Sequence, residues 1–175
     1  MTAPLLRRSL APRGKTPVIQ QKGSGREKVS VIGALSISPR RQQLNLHFQT
    51  RVKGSYDNVA VAEFLRQLLR SLRGKIILVW DRAPFHRGPA IRELLSRTRR
   101  LWLEQLPPYA PDLNPVEPLW SWLKWGRFAN YAAEGAVWID LNLRKTLRGM
   151  HRSTKRLRSF FDASELPFPD QALAS

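Results

Sequence analysis

The feature that most constrains the fold is an uninterrupted run of five apolar residues, Ile76 to Trp80, which ends on Asp81. A run of this length predicts a short β-strand that other elements cover on both faces. Just upstream, apolar residues recur at spacings of three and four between Val61 and Leu72, and they predict an amphipathic helix that ends near Gly74. A covered strand that directly follows such a helix restricts the chain to a layered α/β fold.

The rest of the sequence supplies the other layers of such a fold. Strands are predicted at 29–36, 44–48 and 101–106, and helices from about Pro89, from Pro115 and over 136–161. Asp57 or Ser55 is expected to cap the helix before Gly74, and Asn114 the helix after Pro115. The order strand, strand, helix, strand, helix, strand, helix indicates an α/β domain with a mixed sheet.

The charge of the chain indicates a polyanionic partner. Thirty Lys and Arg residues against 13 Asp and Glu residues give a net charge of +17. Such an excess repels itself in a compact state, and nucleic acid is the leading partner because cationic side chains release counterions from phosphates. The alternative is a soluble surface with a basic bias.

The chain has no cysteine, which excludes disulfides and zinc sites built on thiolates. No segment approaches the roughly 20 apolar residues of a membrane span, so we expect a cytoplasmic, nucleoid-associated protein with no membrane partner.

Two carboxylates stand out by their positions. Asp81 ends the apolar run, and ligands of open α/β sheets gather at the carboxyl ends of strands. Glu117 lies in the first turn of the helix that follows a loop with four prolines in nine residues, 107–115. One helix and one strand fit between the two residues, which brings the second carboxylate back beside the first and suits a divalent-metal site. The alternative is that Asn114 and Glu117 form a capping box, and that Asp81 only starts a turn.

Two blocks of sequence resemble a known family. VWDRAPFH (79–86) and LPPYAPDLNPVEPLWSWLK (106–124) are similar to signature blocks of the Asp-Asp-Glu endonuclease domain of mariner-related bacterial insertion-sequence transposases. Weaker similarity runs through 11–14, 31–35 and 157–161, so the resemblance covers nearly the whole chain. It implies a ribonuclease H-like α/β fold, a mixed sheet flanked by helices, and DNA cleavage and strand transfer with two Mg²⁺ or Mn²⁺ ions.

The resemblance also assigns roles to residues. Asp81 matches the second catalytic carboxylate and metal ligand of the family, and Glu117 matches the third. His86 falls on a motif position near the site, where a lone histidine is more often a hydrogen-bonded structural residue than a metal ligand. Arg82 departs from the family, which usually has Asn directly after the second Asp; the departure puts the local hydrogen bonding in doubt but not the metal ligand.

The resemblance also leads us to expect that the chain is truncated at its amino terminus. In the family the first Asp lies on an opening strand, just upstream of the stretch that matches Leu6 to Val18, and Met1 begins after that point. Asp57 is the only Asp before Asp81; it matches a capping position, and we do not assign it as the missing ligand. The helix-turn-helix region that recognises transposon ends in the family is likewise expected to be absent.

Two functions therefore compete. The first is a transposase catalytic domain that acts on duplex DNA at transposon ends and at a target. The second is a catalytically inactive DNA-binding remnant or regulator that lacks the first Asp, and we expect the chain alone to be inactive. A basic RNA-binding protein is disfavoured by the signature blocks. A second copy or an intact transposase is a further possible partner.

We expect a basic extended arm at 1–26, a ribonuclease H-like core at 27–135 and a basic amphipathic helix and tail at 136–175. The helix of the tail is expected to pack on the core and to contact phosphates rather than a membrane.

Overall fold

The computed structural model describes residues 28–38, 43–129, 135–166 and 168. The basic arm predicted at 1–26 lies outside these residues. In chain order the elements are the strands β1 (Val29–Ile37) and β2 (Leu44–Val52), the helix α1 (Asn58–Ser71), the strand β3 (Ile76–Trp80), the helix α2 (Pro89–Ser96), the strand β4 (Leu101–Gln105), and the helices α3 (Val116–Ser121), α4 (Ala136–His151) and α5 (Thr154–Asp162). Short 3₁₀ turns lie at Pro84–His86 and Pro111–Leu113, and α3 continues as a π-helix over Trp122–Arg127.

The first two strands form the predicted hairpin. They pair antiparallel from Val29 opposite Val52 to Ile37 opposite Leu44, so β2 extends four residues beyond the predicted end at Phe48. Leu44 and Leu46 point into the core, as the alternation of apolar and polar residues predicts.

The second pair of strands is parallel and holds the apolar run. β3 and β4 pair from Ile76 opposite Leu101 to Trp80 opposite Gln105, with α2 as the crossover between them. The prediction that β3 is covered on both faces was wrong. Ile77 is 72% exposed and Trp102, its partner on β4, is 68% exposed. The reason is that α1 and α2 pack against the same face of this sheet, and an apolar run does not reveal how many faces will be covered.

The two sheets stay separate within the described residues. Each has two strands, one pair antiparallel and one parallel, so the predicted mixed sheet is present as two halves. Ile32 and Ala34 of β1 pack against the apolar cluster that α1 and α2 form with β3 and β4, which links the halves through side chains.

The tail contains two helices rather than the single helix predicted over 136–161. α4 ends at His151 and α5 begins at Thr154, and both pack on the hairpin and α3. Their common core includes Leu119, Leu147 and Leu157, each with no exposed surface. Burying a leucine side chain contributes about 1.5–3 kcal/mol, so this cluster holds the tail firmly on the hairpin.

Side chains cap both ends of α1. Asp57 Oδ1 accepts from Ala60 N at 2.9 Å, which confirms the predicted N-cap. At the other end, the Arg100 guanidinium donates to the backbone oxygens of Leu69, Leu72 and Gly74, and so fastens the end of α1 to the start of β4. None of the helices in the described ranges is long and apolar enough to cross a bilayer.

Candidate functional site

Asp81 is the first residue after β3 and its carboxylate is held from one side. Its Oδ1 accepts from the Ala83 backbone N–H at 2.9 Å and lies 2.8 Å from His86 Nδ1. The side chain remains 49% exposed. Two donors on one oxygen fix the direction of the carboxylate while the exposed part stays available to a ligand.

His86 is the residue that orients Asp81. The 3₁₀ turn at Pro84–His86 brings its Nδ1 within 3.1 Å of the Asp81 backbone oxygen as well as within reach of the carboxylate. Both oxygens are acceptors, so Nδ1 carries the proton. The imidazole stacks on Trp80 with 4.5 Å between ring centroids and 6° between planes, and Phe85 meets its ring edge-on. His86 is therefore a hydrogen-bonded residue that positions a carboxylate.

Glu117 lies in the first turn of α3, as predicted, but it is not part of a capping box in the structure. Asn114 Oδ1 accepts from Val116 N at 3.2 Å, whereas the Asn114 N–H donates to Pro111 O at 2.9 Å. The Glu117 backbone N–H donates to Asn114 O. The helix begins at Val116, one residue later than predicted from Pro115. Because the Asn114 N–H is already satisfied by a backbone oxygen, the Glu117 carboxylate is not needed as its acceptor.

Asp81 and Glu117 line one cavity of about 200 Å³ at the carboxyl edge of the parallel sheet. The proline-rich loop between β4 and α3 forms most of the remaining wall. The lining residues are Asp81, Arg82, Leu106, Pro107, Pro108, Tyr109, Ala110, Pro111, Asn114 and Glu117. Parallel neighbours end at the same edge of a sheet, so the loops after β3 and β4 meet there and return the start of α3 to Asp81.

Arg82 ties the two strand ends together and brings a positive charge to the cavity. Its Nε donates to Leu106 O at 3.1 Å, and Leu106 N in turn donates to Trp80 O at 2.8 Å. The residue that departs from the family pattern thus makes a backbone hydrogen bond across the sheet edge. Arg82 also lines the cavity together with Asp81 and Glu117, and a guanidinium suits a phosphate group.

Tyr109 and the hydrogen bond between His86 and Asp81 were not predicted from the sequence. Tyr109 sits at the tip of the proline-rich loop with a positive φ of 59° and is fully exposed. The four prolines were the available signal that this loop is rigid enough to form a wall. The contact of His86 depends on the 3₁₀ turn, which the sequence pattern did not reveal.

The donor set at the cavity suits a hard divalent cation. Mg²⁺ is usually held by one or two carboxylates, with waters and substrate phosphate oxygens completing the octahedron. Asp81 and Glu117 are side chains of this type, and both line the cavity. The part of the chain that the structure describes has no group of three or more His, Cys, Asp or Glu residues placed to hold a metal. Asp57 is engaged as the cap of α1, in agreement with its exclusion as a ligand.

Comparisons with known proteins concern the family and the fold of the chain. The profile of the family described as DDE superfamily endonuclease matches residues 2–134. The solved structure of the Mos1 mariner paired-end complex with Mn is 15% identical, with a TM-score of 0.56, over 93% of this chain and 52% of that chain. The Mos1 transposase paired-end complex with the left transposon end is 14% identical, with a TM-score of 0.53, over 94% of this chain and 52% of that chain. No curated protein sequence matches the chain.

The likeness to these structures is one of fold. The chain spans about half the length of these two solved chains. At this level of identity the match shows that the chain has the ribonuclease H-like α/β fold.

Proposed function

The chain belongs to the DDE superfamily endonuclease family, and on that premise we propose that it is the metal-dependent catalytic core of a DNA transposase. The observation that carries the proposal is that Asp81 and Glu117, which match the second and third carboxylates of the family motif, line one cavity. The proposed substrates are duplex DNA at transposon ends and at a target. The excess of 30 Lys and Arg over 13 Asp and Glu supports a polyanionic partner.

The residues in and beside the cavity have proposed roles. Asp81 and Glu117 would hold Mg²⁺ or Mn²⁺. The ion, when bound, would neutralise charge on the attacking and leaving oxygens of a phosphodiester. His86 keeps the Asp81 carboxylate turned by the 2.8 Å hydrogen bond to Oδ1. Arg82 would face a DNA phosphate, and the rigid proline-rich loop would limit how the backbone enters.

A second candidate function rests on the number of carboxylates at the cavity. Among the described residues, the acidic residues that line the cavity are Asp81 and Glu117. Two carboxylates suffice for one ion, whereas a pair of ions needs carboxylates on more than one side. The second candidate is therefore a DNA-binding regulator that binds one ion weakly and does not cleave, either alone or together with an intact transposase.

One experiment separates the two candidates. The chain is incubated with supercoiled plasmid and Mn²⁺, beside the variants Asp81→Asn and Glu117→Gln. The matched control is Asp112→Asn, an exposed carboxylate on the same loop that does not line the cavity. Nicking by the chain and by the control, but by neither site variant, supports the enzyme. Plasmid binding without nicking by any of the four proteins supports the regulator. Equal nicking by Asp81→Asn and the unmodified chain would overturn the catalytic assignment.

A further inference from the structure

Exposed cations gather at the end of the fold opposite the cavity. Arg70 lies in the last turn of α1, Arg73 and Lys75 lie between α1 and β3, and Arg99 lies just before β4. All four are exposed. We call these four residues the amino-edge patch, because they surround the amino ends of the two parallel strands.

Hydrogen bonds bring these segments together. Ile76 N donates to Arg100 O at 2.7 Å, which sets Lys75 beside Arg100 across the two strands. The Arg100 guanidinium donates to the Leu69, Leu72 and Gly74 oxygens, so the end of α1 is fastened to the segment that carries Arg99. The patch is therefore a rigid group of charges on three connected segments.

Contacts within the described residues do not neutralise the patch. None of its four side chains forms an ion pair there, and the one acidic residue of α2, Glu93, is engaged by Arg97 at 2.7 Å. The carboxyl end of α1 carries about half a negative elementary charge, which Arg70 and Arg100 complement. Half a charge does not balance the four cations of the patch together with Arg100. Like charges held together destabilise a compact state unless an anion joins them.

The patch lies too far from the cavity to belong to it. Six residue steps separate Lys75 from Asp81 along β3, which at 3.3 Å per residue is about 20 Å. A phosphate held at the patch is therefore distinct from one held at the cavity, and at about 3.4 Å per base pair the two lie about six base pairs apart along a duplex.

We propose that the amino-edge patch binds the phosphate backbone of duplex DNA about 20 Å from the cavity, which faces the reacting phosphodiester. This inference rests on the proposed function for the choice of DNA as the polyanion. Geometry and charge carry the rest: four clustered cations on a rigid edge match a polyanion, and phosphates on a duplex recur closely enough to meet several of them at once.

The test is the salt dependence of duplex DNA binding by the full chain. If the chain neutralises about six phosphates, log K falls against log salt with a slope near −5. The variant Arg70→Gln, Arg73→Gln, Arg99→Gln should make this slope shallower by about 2 to 3 units and weaken binding at least about tenfold in 0.1 M salt. The variant with Lys at the same three positions should keep the slope, because each phosphate contact needs a charge rather than a fork of donors.

The charge-matched control removes three exposed cations that lie elsewhere, in the variant Lys28→Gln, Lys53→Gln, Arg92→Gln. The proposal is supported if the slope of log K against log salt changes by less than about one unit in this control and by the larger amount in the patch variant. Equal slopes for the control and the patch variant overturn it. So does a patch variant that loses binding to phosphatidylserine vesicles but binds DNA unchanged.

Mn²⁺ binding by the same variants separates this proposal from the function at the cavity. The patch variant should bind Mn²⁺ as the unmodified chain does. If Asp81→Asn and Glu117→Gln leave Mn²⁺ binding unaltered while the patch variant still loses its DNA slope, the cavity assignment fails and the patch stands. If the patch variant keeps the salt slope of the unmodified chain while both site variants lose Mn²⁺ binding, the proposal for the patch fails and the assignment of the cavity stands.

Discussion

Replacing His86 by Phe should weaken metal binding at the cavity without unfolding the site. Phe keeps the ring that stacks on Trp80 at 4.5 Å but removes the Nδ1–H that contacts Asp81 Oδ1 at 2.8 Å. The carboxylate then keeps only the hydrogen bond from Ala83 N. Partners that orient a ligand typically contribute 10- to 100-fold to metal affinity. Because the Asp81 side chain is 49% exposed, water replaces part of the lost bond, and we expect the low end, about tenfold or about 1.4 kcal/mol.

The assay is titration of Mn²⁺ into the full chain by isothermal calorimetry. The matched variant is His86→Asn, which offers an amide N–H near the position of Nδ1 but gives up the stack on Trp80. We expect Asn to bind Mn²⁺ within about threefold of the unmodified chain, although it melts at a lower temperature. If Phe binds Mn²⁺ as tightly as His, the hydrogen bond to Asp81 does not contribute to metal binding and this role of His86 is refuted. The role is refuted likewise if Asn loses as much affinity as Phe, because an N–H at this position would then have no effect.

Three further predictions concern stability. Burial lowers the pKa of His47 below its ordinary value of 6.5, so the unfolded chain takes up a proton that the folded chain resists. The free energy of unfolding should therefore fall as pH drops below about 6.5, and urea denaturation at pH 7.5 and 5.5 should show a smaller fall in His47→Gln. The buried Tyr56 hydroxyl has no hydrogen-bond partner among the described residues, and burial raises its pKa to about 12. Tyr56→Phe should leave the free energy of unfolding unchanged or raise it by up to about 1 kcal/mol, and a loss above 1 kcal/mol would show a missed partner. Gly88 has a φ of 151°, and an added Cβ would lie 2.6 Å from Asn58 Cγ; Gly88→Ala should cost about 2–4 kcal/mol, whereas Gly149→Ala, in an open helical position, should gain about 0.5–1 kcal/mol by the same assay.

The local elements of the fold could be predicted because their signals lie within a few residues. β3 has the predicted bounds, since an apolar run stands between Gly74, which has a positive φ of 80°, and Asp81. The N-cap at Asp57 follows from the side chain alone. What covers a strand depends on distant segments, so the exposure of Ile77 could not be inferred from the run that contains it.

Breaks without glycine or proline were also beyond the sequence pattern. The tail turns between His151 and Thr154, where the apolar spacing continues through Leu157 and predicts one helix. Likewise, nothing in the periodicity indicates that the helix after Pro115 continues as a π-helix over Trp122–Arg127.

The candidate site was predictable in its carboxylates but not in its supporting contacts. Asp81 and Glu117 stand out because strand ends and helix starts collect at one edge of a parallel sheet, and both line the same cavity. Their role as metal ligands stays a prediction. The contact from His86 and the hydrogen bond from Arg82 to Leu106 depend on turn geometry, which no spacing of residue types specifies.

We propose that Asp81 and Glu117 hold a divalent cation together. Electron paramagnetic resonance of Mn²⁺ with the full chain measures free and bound ion directly and does not require catalysis. We expect about one bound ion per chain at saturation, an affinity that is at least about tenfold lower in both Asp81→Asn and Glu117→Gln, and an unchanged affinity in Asp112→Asn. An affinity that stays unchanged in either site variant, or that falls equally in Asp112→Asn, would mean that the two carboxylates do not hold the ion together.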